Sequence, residues 1–494
     1  MLRTLSSGDA DTLREFFRTA GYTAEEFERR RVLLDFPLRR NLPVLLESTR
    51  EPSLLNLLLR WFLLDVPAAS ESAAALVPDH AMRLLLESGI IHQDGEWLPP
   101  GITLTPLDGY LFAADTAARL ESRAPDMVIW PNPTSLILNQ FTMRHTTEAT
   151  LDLGSGCGIQ ALFAARHSSR VTATDLNARA AQFIRFNAWL NGIANIESLT
   201  GDTFEPVRNR TFDLIVTNPP FFVTPTADQL YCQNEMELDQ YCRRVAREGC
   251  GYLNNGGYLQ MICEWAQVRG QPWRERLREW VEGTGCDSVI FRTYSCEAAA
   301  YAVKRMPQTA AGSGEETMEK WLDYYRKLGI EQIHGGLIAM RRRAGRNWVH
   351  FEEMPVNPNQ AFGDAVRQTF GCIDLLGSDP SDGGLMEAQL RVSPDARIDQ
   401  ELQQADGRWQ TVNMTLRVTG IPASMRLDAP VAEFLAGLDG QRTVGELVEK
   451  TVLRVRADPE RVRRECLAVL RRLVERRFVV PAGGQQRGMT APLD

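Results

Sequence analysis

Apolar residues over the first 125 positions recur with helical spacing. The stretch DADTLREFFRTAG opens on cap-type residues and closes at Gly21. SLLNLLLRWFLLDV and PDHAMRLLLESGI repeat the helical period, and the short alternating piece IIHQDGEWLPPGITLTP follows them. Helices followed by a small hairpin predict a helical, winged-helix-like module over 1–125. From residue 149 the period changes. ATLDLGSGCG, RVTATD, IESLTGD, TFDLIVTNPP and GYLQMICE are short apolar runs ending in polar or glycine-rich residues, with helical stretches such as ARAAQFIRFNAWLNG between them. Strand, helix, strand, repeated, predicts an α/β domain over 126–355 with a parallel sheet covered by helices.

WRERLREWVEGTG and CDSVIFRTY continue this unit. PQTAAGSGEE (307–316) reads as a connector, and EQIHGGLIAMRRRAGRNWVHFEEMP as two antiparallel edge strands joined by a basic turn. Residues 356–422 are rich in Pro, Asn, Gly and Asp, and read as a linker and β-rich segment with strands at LMEAQLRVS and WQTVNMTLRVTG. The last segment, 423–494, reads as three helices and a short strand. In its long helix Val462, Cys466, Val469, Leu470, Leu473 and Val474 share one face, and arginines take the other.

Composition narrows the classes. A net charge of −8 argues against an extended phosphate-tracking surface. The cysteines, Cys232 among them, form no Cys-x-x-Cys pair and have no metal-ligand spacing, which predicts reduced thiols in a cytoplasmic protein and no metal site. The N-terminus lacks the apolar core of a secretory signal, and the most apolar run (54–66) is interrupted by Arg60 and too short to span a bilayer, so no membrane partner is expected.

The candidate chemistry lies at the strand ends. Asp152 closes the first strand, and Gly154, Gly156 and Gly158, with Ser155 among them, form a turn that lets backbone approach a ligand closely. Asp175, followed by Leu176, closes the second strand, where an acid can accept hydrogen bonds from ribose hydroxyls. Asp202 and Thr203 follow the third, where an acid can meet the amine of an adenine. The turn lacks both dinucleotide spacing and a phosphate-binding lysine. At the end of the fourth strand stands Asn218-Pro219-Pro220-Phe221. A planar –NH2 group is a poor nucleophile with two N–H donors. The Asn218 side-chain oxygen and the Pro219 carbonyl can accept one each, prolines stiffen the turn, and Phe221 can pack on the flat acceptor.

LDLGSGCG, ATD, GDTF and NPPF stand in the order and spacing of the class I S-adenosylmethionine-dependent methyltransferases, which this chain resembles over about 130–305. The resemblance implies a Rossmann-like sheet, S-adenosylmethionine as cofactor, Asp152 and the glycine turn on its methionine moiety, Asp175 on its ribose and Asp202 on its adenine. The fourth motif resembles the Asn-Pro-Pro-Tyr/Phe amino-methyltransferases, which modify glutamine or asparagine amides or the exocyclic amines of bases. The C-terminal segment, with Asp439, Gly440, Thr443 and Leu447, resembles the PqqD-like peptide-recognition fold. The whole layout resembles the proteusin (aeronamide and polytheonamide type) asparagine N-methyltransferases. The resemblance implies as partner a peptide with a leader that adds a strand to the C-terminal module. The alternative is a base amine of rRNA, tRNA or DNA, toward which the RRRAGR turn and the arginine-rich last helix point. A non-catalytic peptide binder is a third reading, opposed by the intact cofactor residues and Asn218.

Overall fold

The computed structural model describes residues 2–30, 42–122, 124–225, 236–306, 314–354, 360–377 and 382–484. Cys232 and the connector's residues 307–313 lie outside them. The chain divides into two compact units, 1–139 with 147–355 and 140–146 with 356–494.

The first unit opens with α1 (Ser7–Thr19), whose Ser6 and Asp9 form a reciprocal capping box. After α2 (Ala24–Arg30), α3 (Leu42–Ser48) and α4 (Leu54–Phe62), the short strand β1 (Ala68–Ala69) leads into α5 (Ser70–Ala74) and α6 (Asp79–Glu87), and β2 (Trp97–Leu98) returns to pair antiparallel with β1. The segment is thus mostly helical, with a small two-stranded sheet. A second hairpin follows, β3 (Thr103–Leu107) and β4 (Tyr110–Ala114), turning on Asp108 and Gly109, both at positive φ.

This helical part is not independent of the sheet domain. Trp61, Phe62, Phe17 and Phe112 share one buried cluster with Leu162, Phe163, Phe183 and Phe186. The join is also polar. Helix α10 (Ala178–Leu190) and its cap carry Asn187 and Asn191, one turn apart, facing the outer edge of β4. The Asn187 amide accepts from Ala113 N–H (2.8 Å) and donates to Ala113 C=O (2.9 Å), while Asn191 does the same at Leu111 (2.8 Å each way). Two asparagine side chains thus act as the missing neighbour strand for an edge that would otherwise be buried unpaired.

Between these parts lie α7 (Ala117–Glu121) and α8 (Pro133–Phe141). The main sheet is then built from β5 (Thr147–Leu153), β6 (Ser168–Asp175), β7 (Ile196–Thr200), β8 (Phe212–Thr217), β9 (Leu253–Val268), β10 (Cys286–Glu297), β11 (Ile330–Arg342) and β12 (Val349–Glu353). Its spatial order is β12-β10-β11-β9-β8-β5-β6-β7, with β11 antiparallel to both of its neighbours and the other pairings parallel. The connections include α9 (Ile159–Ala164), α10, α11 (Gln240–Gly249), α12 (Trp273–Val281), α13 (Ala298–Arg305) and α14 (Gly314–Leu328). This is the Rossmann-like α/β architecture read from the sequence.

One expectation is corrected here. The strands around the basic turn are not paired with each other: β10 lies between β11 and β12. Asp287, fully buried near the start of β10, takes Arg341 (2.6 Å) and Arg343 (2.7 Å) and so ties the turn to β10, the strand that separates the two.

In the second unit, residues 383–392 split into α16 (Gly383–Glu387) and β13 (Gln389–Val392), after α15 (Gly363–Gly377), a helix the composition did not suggest. The hairpin of β14 (Arg397–Ala405) and β15 (Arg408–Val418) continues into β16 (Ala423–Leu427). Then come α17 (Ala429–Ala436), β17 (Asp439–Thr443), α18 (Val444–Arg454), α19 (Pro459–Glu475) and β18 (Val479–Pro481). β13 lies between β17 and β18. Leu390 and Leu416 share a core with Leu447, Leu473 and Val480, so the stretches read as 356–422 and 423–494 fold around common apolar residues. On α19, Val462, Leu470, Leu473 and Val474 are buried and Cys466 and Val469 half-buried, as the helical pattern predicts.

Asn187→Ala removes the partners of Ala113 N–H, Ala113 C=O and Cys157 C=O together. The expected loss is about 3 kcal/mol or more, read as a lower denaturant midpoint at unchanged slope; Asn191→Ala, half-buried, loses less.

Candidate active site

The chain order of the sheet reverses between β5 and β8, and the crevice beyond their carboxyl ends is where such sheets bind ligands. The two ends are tied: Thr217, fully buried, donates its hydroxyl to Leu153 C=O at 2.8 Å. From here β5 turns into α9 through Gly154, Gly156 and Gly158, at φ of +70°, +56° and +87°. A Cβ on Gly154 or Gly156 would meet nothing within 4 Å, whereas one on Gly158 would press on Ile184 and Leu162 at 3.2 and 3.3 Å. The first two glycines therefore leave backbone open to a ligand, and the third also serves close helix packing. The Ser155 hydroxyl donates to Asp152 C=O (2.8 Å) and stiffens the turn.

Asp152 is 1% exposed and accepts the Ala161 N–H at 2.9 Å, in the first turn of α9. No motif around Asp152 signals this structural bond. Burial pushes its carboxyl up to about 7, against the bond from Ala161 and helped by the charge of Asp175. Asp175 accepts Gly156 N–H on one oxygen and Asn177 N–H on the other, both at 2.8 Å, and burial raises its pKa. Each oxygen keeps a further lone pair for a ligand hydroxyl. Leu176 beside it is 58% exposed, an apolar surface at the mouth of the crevice. Asp202 is exposed, accepts the Thr203 hydroxyl (2.6 Å) and stands 3.6 Å from Arg244. Thr203 is buried at φ +49°.

Asn218 is half-buried at the end of β8, and its Nδ2 donates to the Thr134 hydroxyl at 3.3 Å. Thr134 spends its own proton on Asn132 Oδ1 (2.6 Å), so toward Asn218 it can only accept. The amide is held with its nitrogen on Thr134 and its oxygen left to receive an N–H. Pro219 is buried and Pro220 half-buried. Phe221 is 6% exposed and meets Phe222 edge-on at 5.5 Å, so it presents little surface to an acceptor. The sequence reading did not single out Phe222, which is half-buried.

The sequence reading also missed the segment 126–135. Asn177 donates to Asp126 C=O (2.7 Å), Gln160 to Ser135 C=O (2.7 Å), and Asn218 to Thr134. The segment thus touches the residues that follow β6, β5 and β8 in turn, crossing the switch point. Its signal was the run Pro131-Asn132-Pro133, where Asn132 caps α8 by accepting from Thr134 and Ser135 N–H.

These residues fit S-adenosylmethionine: open glycine backbone, a carboxylate with free lone pairs and an exposed leucine at one crevice. Residues 131–279 match the methyltransferase small domain family. The chain carries a class I S-adenosylmethionine-dependent methyltransferase domain, and its cofactor is S-adenosylmethionine. It is similar to a release factor glutamine methyltransferase of Aliivibrio fischeri, 27% identical over 39% of this chain and 66% of that protein. A second such protein, from Xylella fastidiosa, is 29% identical over 41% of this chain and 73% of its own. The ribosomal RNA small subunit methyltransferase C of Escherichia coli is 33% identical over 26% of this chain and 34% of its own length. The chain thus spans about a third of that last relative. A solved 16S rRNA N2 G1207 methyltransferase of T. thermophilus aligns over 45% of this chain and 60% of its own at 16% identity and a TM-score of 0.27, too low to carry an argument. Among the described residues no helix is long and apolar enough to cross a membrane, and no cluster of His, Cys, Asp and Glu could hold a metal ion.

Without ligand, native Asp152 keeps a proton that the unfolded chain gives up near pH 4. Stability therefore falls as pH rises from there through about 7, by at most about 1.4 kcal/mol per unit from this group. Asp152→Asn, which retains an acceptor for Ala161 N–H, is expected to flatten that slope in denaturant titrations between pH 5 and 8. Asp175→Ala should weaken cofactor binding by calorimetry; unchanged affinity would remove its assignment to the ribose.

Proposed function

We propose that this chain methylates the nitrogen of a planar –NH2 group on a macromolecule. The observation that carries the reading is the held amide of Asn218, whose nitrogen is engaged by Thr134, which leaves its oxygen to accept an N–H. Bound S-adenosylmethionine supplies an electrophilic methyl group. The protein's task is to make a delocalised nitrogen nucleophilic and hold it in line. Asn218 Oδ1 and the Pro219 carbonyl each accept one N–H, which fixes the nitrogen and concentrates its electron density. The rest of the rate gain comes from proximity in a site with little water. The methylated nitrogen is acidic and sheds its proton without a strong base.

An exocyclic base amine of RNA is the better supported acceptor, on the ribosomal RNA methyltransferase relatives. A glutamine amide in a protein is the second reading, favoured by the release factor methyltransferases, which align over more of the chain. Asparagine in a leader-bearing peptide rests on the domain layout alone. β13 already holds the central position of the C-terminal sheet, so a leader would have to add outside β17 or β18. The RRRAGR turn lends the RNA reading little support, since three of its four arginines are engaged within the fold. Arg341 and Arg343 are bound to Asp287, and Arg342 donates to the carbonyls of Cys250 and Thr284, at 3.2 Å each.

Asn218→Ala is expected to cut transfer by about 100-fold or more while cofactor affinity stays within about twofold. Labelled cofactor, bacterial RNA and, separately, bacterial protein and peptides give the assay. Label in RNA supports the first reading and label in a glutamine amide the second. Label in neither overturns both.

A further inference from the structure

Beyond β8, the sheet carries a buried polar cluster that none of the reactions above requires. β9 runs on past Met261, the residue that pairs with Thr217, and so flanks the turn that follows β8. On this overhang sits Glu264, its side chain 2% exposed. The carboxylate accepts from the hydroxyls of Tyr294 and Tyr301 and from the guanidinium of Arg305. Tyr294 comes from β10, two strands away, and reaches Glu264 across Gly335 of β11. The three residues form one row of the sheet, and a Cβ on Gly335 would overlap the Tyr294 ring. The cluster thus required a side chain's absence in the strand between its members.

The other side of this cluster is the acceptor turn. Arg305 lies over the Phe222 ring, 4.0 Å from its centroid, and Phe222 packs on Phe221 of the Asn-Pro-Pro-Phe turn. Val223 N–H donates to Tyr301 Oη at 3.4 Å, and Val223 C=O accepts from Tyr325 Oη at 3.0 Å. The two residues following the turn are therefore gripped by side chains from α13 and α14, and those of α13, Tyr301 and Arg305, are themselves fixed by the buried acid.

We propose that the Glu264–Arg305 pair is a positioning device for the acceptor turn, holding Phe222 from behind and, through it, Phe221 and Asn218 in the geometry that transfer needs. Its role in transfer rests on the amino-methyltransferase reading above. Neither residue touches the reacting atoms. Arginine suits the task because one planar group can bind the carboxylate at its edge and cover the ring with its face; lysine supplies the charge without the face.

Arg305→Lys keeps the cation beside Glu264 and removes the flat cover from Phe222. The expected result is a folded protein with unchanged cofactor affinity and kcat lower by about 10- to 100-fold, with KM for the acceptor little changed. Phe222→Leu should lose a similar factor, and the double variant no more than the larger single loss, because both act through one contact. Unchanged kcat in Arg305→Lys, or losses that multiply in the double variant, would overturn the proposal. A second measurement needs no acceptor. Hydrogen–deuterium exchange of the peptide covering 217–225 should be faster in Arg305→Lys than in the unsubstituted protein, and equal exchange overturns the clamp. Should the unsubstituted protein methylate no –NH2 acceptor, the reading of the site fails, while the exchange comparison still decides whether Arg305 holds the turn.

Discussion

The parallel pairing of β5 with β8, closed by the Thr217 hydroxyl on Leu153 C=O, sets the geometry of everything beyond it. At that point two adjacent strands end at one level and their chains leave in different directions. Backbone that had been satisfied by the ladder must find other partners or meet water. The glycine turn answers this on one side by opening its backbone to a ligand. On the other, Asn218 leaves the ladder, and the two prolines after it have no N–H to satisfy. The segment 126–135 crosses the gap and supplies Thr134, so the Asn218 side chain is fixed by a residue distant in sequence.

Buried carboxylates show how charge is distributed around this point. Asp287 and Glu264 are each taken out of water and each given arginine. Such pairs seldom add much net stability, yet losing one partner is costly, which makes them strong constraints on geometry. Asp152 is equally buried, receives a backbone donor, and has no guanidinium among the groups that act on it. Its raised pKa is the consequence. This acid, buried without a cation, stands at the turn assigned to a ligand that carries a positive sulfonium.

The strand ends were legible in the sequence because their signals are local. Gly154 to Gly158, Asp175 and Asn218 to Phe221 each lie within a few residues of an apolar run, and the order of those runs sets the sheet. What stayed hidden depends on pairs far apart. No local feature of RRRAGR reveals that Asp287, some 55 residues earlier, binds Arg341 and Arg343, or that β10 lies between β11 and β12. Asn187 and Asn191 looked like ordinary helix residues until β4 arrived beside them. The long exposed strand β14, whose residues are mostly polar, carries no inward face and so gave no alternating signal.

Gly335 shows which demand prevails when local and distant ones conflict. Glycine inside a strand forfeits side-chain packing and costs about 0.5–1 kcal/mol relative to alanine. Here β11 carries Gly335 and Gly336 together in the middle of the sheet. At Gly336 a Cβ would strike neighbouring-strand backbone, the Phe291 C=O, as well as Trp265. At Gly335 the atoms nearest a Cβ all belong to the ring of Tyr294, on its way to Glu264. A smaller residue than tyrosine at 294 would have let β11 keep an ordinary side chain. The sheet therefore gives up strand stability at the row where the Tyr294 hydroxyl crosses to Glu264, so the demand of a buried carboxylate for donors outranks the packing of the strand between them.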